Sequence, residues 1–411
     1  MNVLTGTRPQ PTDLPAPELR KDRVTQAWVT VATVSWFGDA VFNVALAWTA
    51  VHLLSPAVAG LVLGVQTLPQ AALMLAGGVI ADRFDTRKVM VAGELTRAGV
   101  LLGASAALGT GHRTAGVLLA VGLSFGIAAG LTNPARATLA RQLVRPGDLV
   151  TVGGWVQLGG RLARLAGAPV GAVTVAVGGL GPAMLLDAVT FAAVAVVLLA
   201  VVRPRYTIPR TAGEPWHASL REGLSYLRRT PSALWLTAGL SSLNVLLTPV
   251  VGVGVALRVG RSGWGAVWVG VAEAALATGA ILGSLLAIRY RAGALGRRAF
   301  WVLAAQGLAL GAVGGPARAC LTAAMFTVGL TSGLASVWLS GVFQQAIPGT
   351  YLGRVSSVSQ LGDLALTPLV LPLFGFGVAA AGVLPATAVC GLAMTALCTF
   401  FATRPAIRDL R

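Results

Sequence analysis

Residues 78–88 read Gly78-Val79-Ile80-Ala81-Asp82-Arg83-Phe84-Asp85-Thr86-Arg87-Lys88, five charges packed between two apolar runs at 57–81 and 88–109. Each run is long enough to cross a bilayer, because the hydrocarbon is roughly 30 Å thick and a helical residue rises about 1.5 Å. A charged connection this short between two such runs is a loop exposed to water at a membrane face.

The pattern repeats outward in both directions. Apolar runs bounded by charges or Gly/Pro clusters place further spans at 28–54, 114–135, 150–177, 182–202, 233–257, 265–288, 299–315, 319–345, 355–380 and 383–402. That makes twelve helices, and it fits a chain of 411 residues that is 55% hydrophobic and only 11% charged, where a soluble domain carries roughly a quarter charged residues. The first 26 residues mix Asp13, Glu18 and Asp22 with prolines and bases and hold no apolar h-region, so the first span is expected to insert uncleaved.

With the N-terminus in the cytoplasm, 24 of the 31 Lys and Arg fall in inside segments and four, Arg113, Arg258, Arg261 and Arg318, in outside loops. The positive-inside rule then puts both termini in the cytoplasm of a multi-pass inner-membrane protein. It also explains the net charge of +17: the bases face anionic lipid headgroups, and nucleic acid is not an expected partner. Cys320, Cys390 and Cys398 lie in apolar segments without paired spacing, and His52, His112 and His217 are scattered, so neither a disulfide framework nor a metal site is expected.

The organisation reads as a tail (1–27), a six-helix bundle (28–202), a linker (203–232), a second six-helix bundle (233–403) and a short tail (404–411). In the linker Trp216, Leu220, Leu224 and Leu227 alternate with Arg221, Glu222, Arg228 and Arg229 at helical spacing, which predicts an amphipathic helix on the cytoplasmic surface. Gln157-Leu158-Gly159 recurs as Gln360-Leu361-Gly362, Pro182 as Pro385 and Arg203-Pro204 as Arg404-Pro405. These near-equal offsets align span five with eleven and six with twelve, as two six-helix halves related by duplication would.

The stretch 78–88 resembles the signature loop G-x-x-x-D-R-x-x-x-R-K of the major facilitator superfamily, in the expected place between spans two and three, with Asp85 where many members carry glycine. Arg164-Leu165-Ala166-Gly167-Ala168-Pro169-Val170-Gly171, Arg221-Glu222-Gly223-Leu224-Ser225-Tyr226-Leu227 and Leu352-Gly353-Arg354-Val355 are similar to its bacterial drug-efflux branch, which holds macrolide-efflux proteins and the enterobactin exporter. The resemblance implies an all-α membrane fold of two pseudo-symmetric six-helix bundles with a central cavity lined by spans one, four, seven and ten. It further implies a gating role for Gly78, Asp82, Arg83, Arg87 and Lys88, and for Arg164, Pro169 and Gly171 of span five. The last three belong to a stretch similar to an antiporter motif, from which this chain departs at Pro169 and Ala172.

Charges inside a span cost about 2.5–3.5 kcal/mol each on insertion scales, so each is a candidate for function or for a buried pair. Asp39, Glu273 and Asp363 are the candidates for proton coupling; Asn43, Gln157, Arg161 and Gln360 are those for the substrate cavity. Glu94 and Arg97, three apart, read as a local ion pair, and Asp187 as structural or interfacial. Asp39 has its own alternative role, pairing with an arginine of span five.

No HExxH, GxSxG or Walker loop is present, and no enzymatic activity or cofactor is expected. The reading is a monomeric secondary transporter that exports an amphipathic or drug-like molecule, such as a natural product or siderophore, in exchange for protons. A metabolite importer or facilitator of the same fold is the rival within transport. A membrane-embedded enzyme or lipid-handling protein on this fold is the rival outside it.

Overall fold

Inside hydrocarbon no water is available to the backbone, so a spanning segment must bond its own amides, and every regular element among the described residues is a helix. The computed structural model describes residues 18–110, 114–206, 216–290 and 295–404. Helices occupy each expected span: α1 (Arg23–Leu53), α2 (Pro56–Gly64), α3 (Thr67–Arg83), α4 (Thr86–Gly109), α5 (Thr114–Leu143), α6 (Leu149–Gly178) and α7 (Leu180–Ala200) in the first half. The second half holds α9 (Pro231–Pro249), α10 (Val255–Arg261), α11 (Val267–Arg289), α12 (Leu295–Ala312), α13 (Arg318–Ala346), α14 (Gly349–Ala381) and α15 (Val383–Thr403), with α8 (Trp216–Arg229) in the linker.

Two spans are built from two pieces. Helices α2 and α3 together form the second span, and α9 and α10 form the seventh, joined after Pro249 by a π-helical turn at Val250–Gly254. Among the described residues ten helical stretches are long and apolar enough to cross a membrane, which makes this a multi-pass membrane protein. Helices α6 and α12 are outside that set: α6 carries Gln157, Arg161 and Arg164, and α12 is only 18 residues long with Arg297 and Arg298 at its start.

Packing shows the duplication directly. In the first half α1 packs on α6 and α7, α3 on α5, and α4 on α5 and α7; in the second, α9 packs on α14 and α15, α11 on α13, and α12 on α13 and α15. These are the same pairs displaced by six spans. The turns repeat too: Gly179 (φ 74°) joins α6 to α7, and Gly382 (φ 97°) joins α14 to α15, both in the left-handed region that favours glycine.

The halves meet along two helix pairs, α6 with α11 and α14 with α2 and α3. Backbones approach closely there, since a Cβ added at Gly60 would strike the Leu371 carbonyl and one at Gly375 the Pro56 carbonyl. These contacts lie toward the end of the bundle away from Asp22 and Thr403, hereafter the far face; the other end is the terminal face.

Local capping fixes the terminal face. Asp85, which departs from the resembled signature, is the N-cap of α4 and accepts from the Arg87 and Lys88 amides at 2.9 and 3.3 Å. The Arg87 guanidinium donates to the carbonyls of Leu198 (2.6 Å) and Leu199 at the end of α7, where a cation also opposes the helix dipole. Asp22 caps α1 through the amides of Val24 and Thr25 and receives both arms of Arg205, at 2.6 and 2.7 Å. The amides of Arg205 and Tyr206 donate to the Gln142 carbonyl, each at 2.9 Å, which staples the chain's exit from the first half to that half.

Burial alone would raise the Asp22 carboxyl, but hydrogen bonds from Arg205 and Thr25, with the Arg205 charge, outweigh it and hold the group below its ordinary 3.8. Its contribution is therefore complete above the unfolded value and lost as pH falls through the lowered folded one. Asp22→Asn is expected to cost about 1–3 kcal/mol at neutral pH. In thermal unfolding of purified protein the gap between variant and parent should hold from about pH 5 upward and close below about pH 4.

Candidate functional site

The polar faces of α1, α3, α4, α5 and α6 converge on a cavity of about 560 Å³, completed by residues around the π-helical turn and by the start of α11. Asp39, Asn43, Gln157, Arg164 and Glu273 line it, alongside Trp36, Gln66, Gln70, Arg97, Phe125, Asn133 and Arg136. Three arginines, two carboxylates and five carboxamides thus share one chamber with two aromatic rings. The π-helical turn contributes Val251 and Gly252, in keeping with the frequency of such bulges at functional sites.

Behind the first-half wall stands a cluster of charges from four helices. Arg136 of α5 donates to Glu94 of α4 at 3.4 Å, and Glu94 itself is buried, 2% exposed. Arg97 of α4 lies over the rings of Phe125 (5.8 Å) and Phe191 (5.6 Å), and Arg136 over Trp36 (5.9 Å). Both guanidinium groups act electrostatically on Asp39, which has no direct hydrogen-bond or ion-pair partner among the described residues. Asp187 of α7 is fully buried, accepts from Thr190 at 3.1 Å, and packs on Gly38 so closely that an added Cβ would strike both side chains.

Sequence reasoning paired Glu94 with Arg97; the ion pair formed is with Arg136. Arg136 itself was missed because span four was expected to end at 135, one residue short of it, whereas α5 continues to Leu143. The Asn133-Pro134 break in hydropathy marks where the helix turns polar, not where it stops. Gln66 and Gln70, also missed, carry no charge and sit at the junction of α2 and α3.

The remaining candidates fall elsewhere. Arg161 does not line the cavity; it crosses to the second half and donates to Ser284 Oγ and, at 3.4 Å, to the Ala280 carbonyl of α11. Asp363 accepts from Asn244 of α9 at 3.0 Å through one oxygen, and its other oxygen is buried without a partner. Pro169 and Gly171 are packing positions, the first against Gly270 of α11 and the second against Val41 of α1. Arg164, expected to gate, lines the cavity and is the cation that acts on Glu273 across the two halves. Gly78, Asp82, Arg83 and Gln360 lie in helices, but their side chains are outside the described residues, as are Trp216 and Leu220 in α8.

Comparison with known proteins gives this arrangement its family. The profile of the Major Facilitator Superfamily matches residues 29–367. The chain belongs to the Major Facilitator Superfamily. It is a multi-pass membrane protein with the fold of that superfamily. A stretch of 87 residues is 40% identical to the multidrug resistance protein MdtH of Klebsiella pneumoniae strain 342, covering 21% of this chain and 20% of that protein. The nucleoside transporter NupG superposes with a TM-score of 0.72 at 13% identity, over 92% of this chain and 98% of its own. A POT family transporter in complex with 5-aminolevulinic acid gives 0.72 at 12% identity, over 96% and 100%. An inward-facing, occupied bacterial homologue of the lysosomal transporter Spinster gives 0.67 at 14%, over 94% and 96%. At such identities the likeness is one of fold.

The contact between Gly38 and Asp187 supplies a test of the cluster's packing. Gly38→Ala is expected to destabilise the protein by about 1–3 kcal/mol, because the buried Asp187 and Thr190 side chains must give up their packed positions to admit a methyl group. Gly103→Ala on α4, which has nothing within 4 Å, should be neutral or stabilise by up to about 1 kcal/mol. Thermal midpoints of the two variants in the same detergent check the contrast.

Proposed function

We propose that this transporter exports an amphipathic or drug-like small molecule in exchange for protons, with Asp39 as the coupling group. The observation that carries the reading is the position of Asp39: on the cavity wall, between two guanidinium charges, with no direct partner to hold it ionised. A carboxylate so placed can take a proton from the chamber, and the change of charge is felt by Arg97 and Arg136, which leaves more of their positive charge to meet substrate. Competition between proton and substrate for one charge balance is the thermodynamic core of antiport.

Export is supported by the partial match to MdtH and by the span-five stretch that resembles an antiporter motif. The mixed lining, with Trp36 and Phe125 beside carboxamides, suits a ligand with both apolar and hydrogen-bonding surface. In this reading the terminal face is cytoplasmic, which the loop arginines favour even with Arg136 moved into a helix. The protein works as a monomer in the inner membrane, with bundles at 28–202 and 233–403 rocking about the cavity. Glu273 and Asp363 stand as further proton sites in the second half.

The test is efflux of a cationic and an anionic fluorescent dye from proteoliposomes under an imposed pH gradient. Asp39→Asn should reduce gradient-driven flux by about 5- to 150-fold, the range of a coupling free energy of about 1–3 kcal/mol, while exchange of dye for dye persists. Flux that survives the substitution with its pH dependence intact would transfer the coupling role to Glu273.

A further inference from the structure

Two stretches that the sequence singles out, 221–227 before span seven and 352–355 at the start of span eleven, meet in the structure, and the cavity uses neither. Glu222 of α8 and Arg354 of α14 form an ion pair at 2.6 Å. One residue on, Gly223 lies so close to α14 that an added Cβ would stand 2.9 Å from the Arg354 carbonyl. A turn further, the rings of Tyr226 and Tyr351 stack with centroids 4.5 Å apart and planes 15° apart, and Leu227 is buried in a cluster with Ala233, Ile347 and Val355. Glycine, tyrosine and leucine at 223, 226 and 227 share one helical face, and that face is occupied chiefly by α14, with Ala233 of α9 and Ile347 beside it. Of the α8 face expected to lie on lipid, Leu227 is docked on the chain itself and Leu224 is exposed.

Helix α14 is not a passive platform. It carries Pro368 and Pro372 within its length, each removing a backbone hydrogen bond and weakening the helix locally. On one side of the prolines lies the segment that α8 grips; at the prolines and beyond them lie the closest contacts with the other half, where Gly64 meets Pro368, Gly60 meets Leu371 and Gly375 meets Pro56, and the packing on α3 continues from there toward the clamp. One helix thus carries the clamp, two weak points and the interface.

We infer that α8 is a clamp fixed to the second half, and that Glu222 and Arg354 are positioning residues which hold the terminal segment of α14 and so set how the terminal face opens. With the pair intact, α8 and the first turns of α14 move as one block about the prolines. With it broken, that segment is held less firmly to the second half, and the balance between open and closed states shifts. Neither residue lines the cavity, so the direct contacts with substrate are unchanged and the effect falls on conformational population and turnover.

The experiment is hydrogen–deuterium exchange on the full-length protein in lipid nanodiscs, comparing the parent, Glu222→Arg, and the exchange Glu222→Arg/Arg354→Glu. It needs no substrate, so its outcome is independent of the proposed export activity. Glu222→Arg places like charges together and is expected to raise exchange in α8 by about two- to fivefold, with a concurrent change in the terminal part of α14; the double variant should return both toward parental values. Unchanged protection of α8 in the single variant overturns the clamp. Loss of protection confined to α8, without change in α14, overturns the positioning role. A double variant no better than the single one removes the ion pair from the account.

Discussion

Hydrocarbon solvates neither amides nor charges, and that constraint shapes this protein at every level. It forces the backbone into helices, and it forces the charged side chains inside the spans toward one another or toward the cavity. The first half holds Asp39, Glu94 and Asp187 against Arg97 and Arg136, supplied by α1, α4, α5 and α7. Removing one member of such a group leaves its partners buried without compensation, which typically costs more than the group contributes as a whole. The cluster therefore fixes the relative positions of four helices, and with them the wall of the cavity.

The second half is held differently. Its core is apolar, built around Leu236, Phe300, Leu310, Met325 and Cys398, and the acid it presents to the cavity, Glu273, faces Arg164 of the other half. Two bundles with the same helix pairings thus have unlike interiors. Small residues where the halves touch let backbones approach closely without locking polar groups together, so the contacts that must be remade in transport are inexpensive compared with those inside either half.

The helical spans were legible because hydropathy over twenty residues is a property of solvent, and lipid imposes it strongly. The duplication was legible too, although the pair that shows it best, Gly179 and Gly382, was not picked out, since one positive-φ glycine among 52 has no signature in the sequence alone. Which face of a helix does what was far less legible. Gln157 and Arg164, seven apart, differ by about 20° around α6 and both line the cavity, whereas Arg161, only about 60° from Arg164, binds α11 instead. A rotation of that size is beyond any periodicity argument, because what lies opposite each face is decided by helices hundreds of residues away. The reading of Glu94 with Arg97 was incomplete for the same reason: the Arg97 charge does act on Glu94, but the direct contact comes from Arg136 on another helix.

The charged groups of the cavity divide by what their neutralisation would disturb. Asp39 interacts with arginines of its own half, so a change in its charge alters the chamber while leaving the contacts between halves in place. Glu273 interacts with Arg164 across the interface, so a change there alters the attraction between the halves themselves. In the proposed cycle the first group is suited to exchanging a proton for substrate and the second to reporting that exchange to the bundle motion. Arg161, bonded to the backbone and hydroxyl of α11 through contacts that carry no opposing charge, adds a tie insensitive to either event. The balance between one tie that responds to charge and one that does not lets closure depend on the contents of the cavity without being abolished when it is empty.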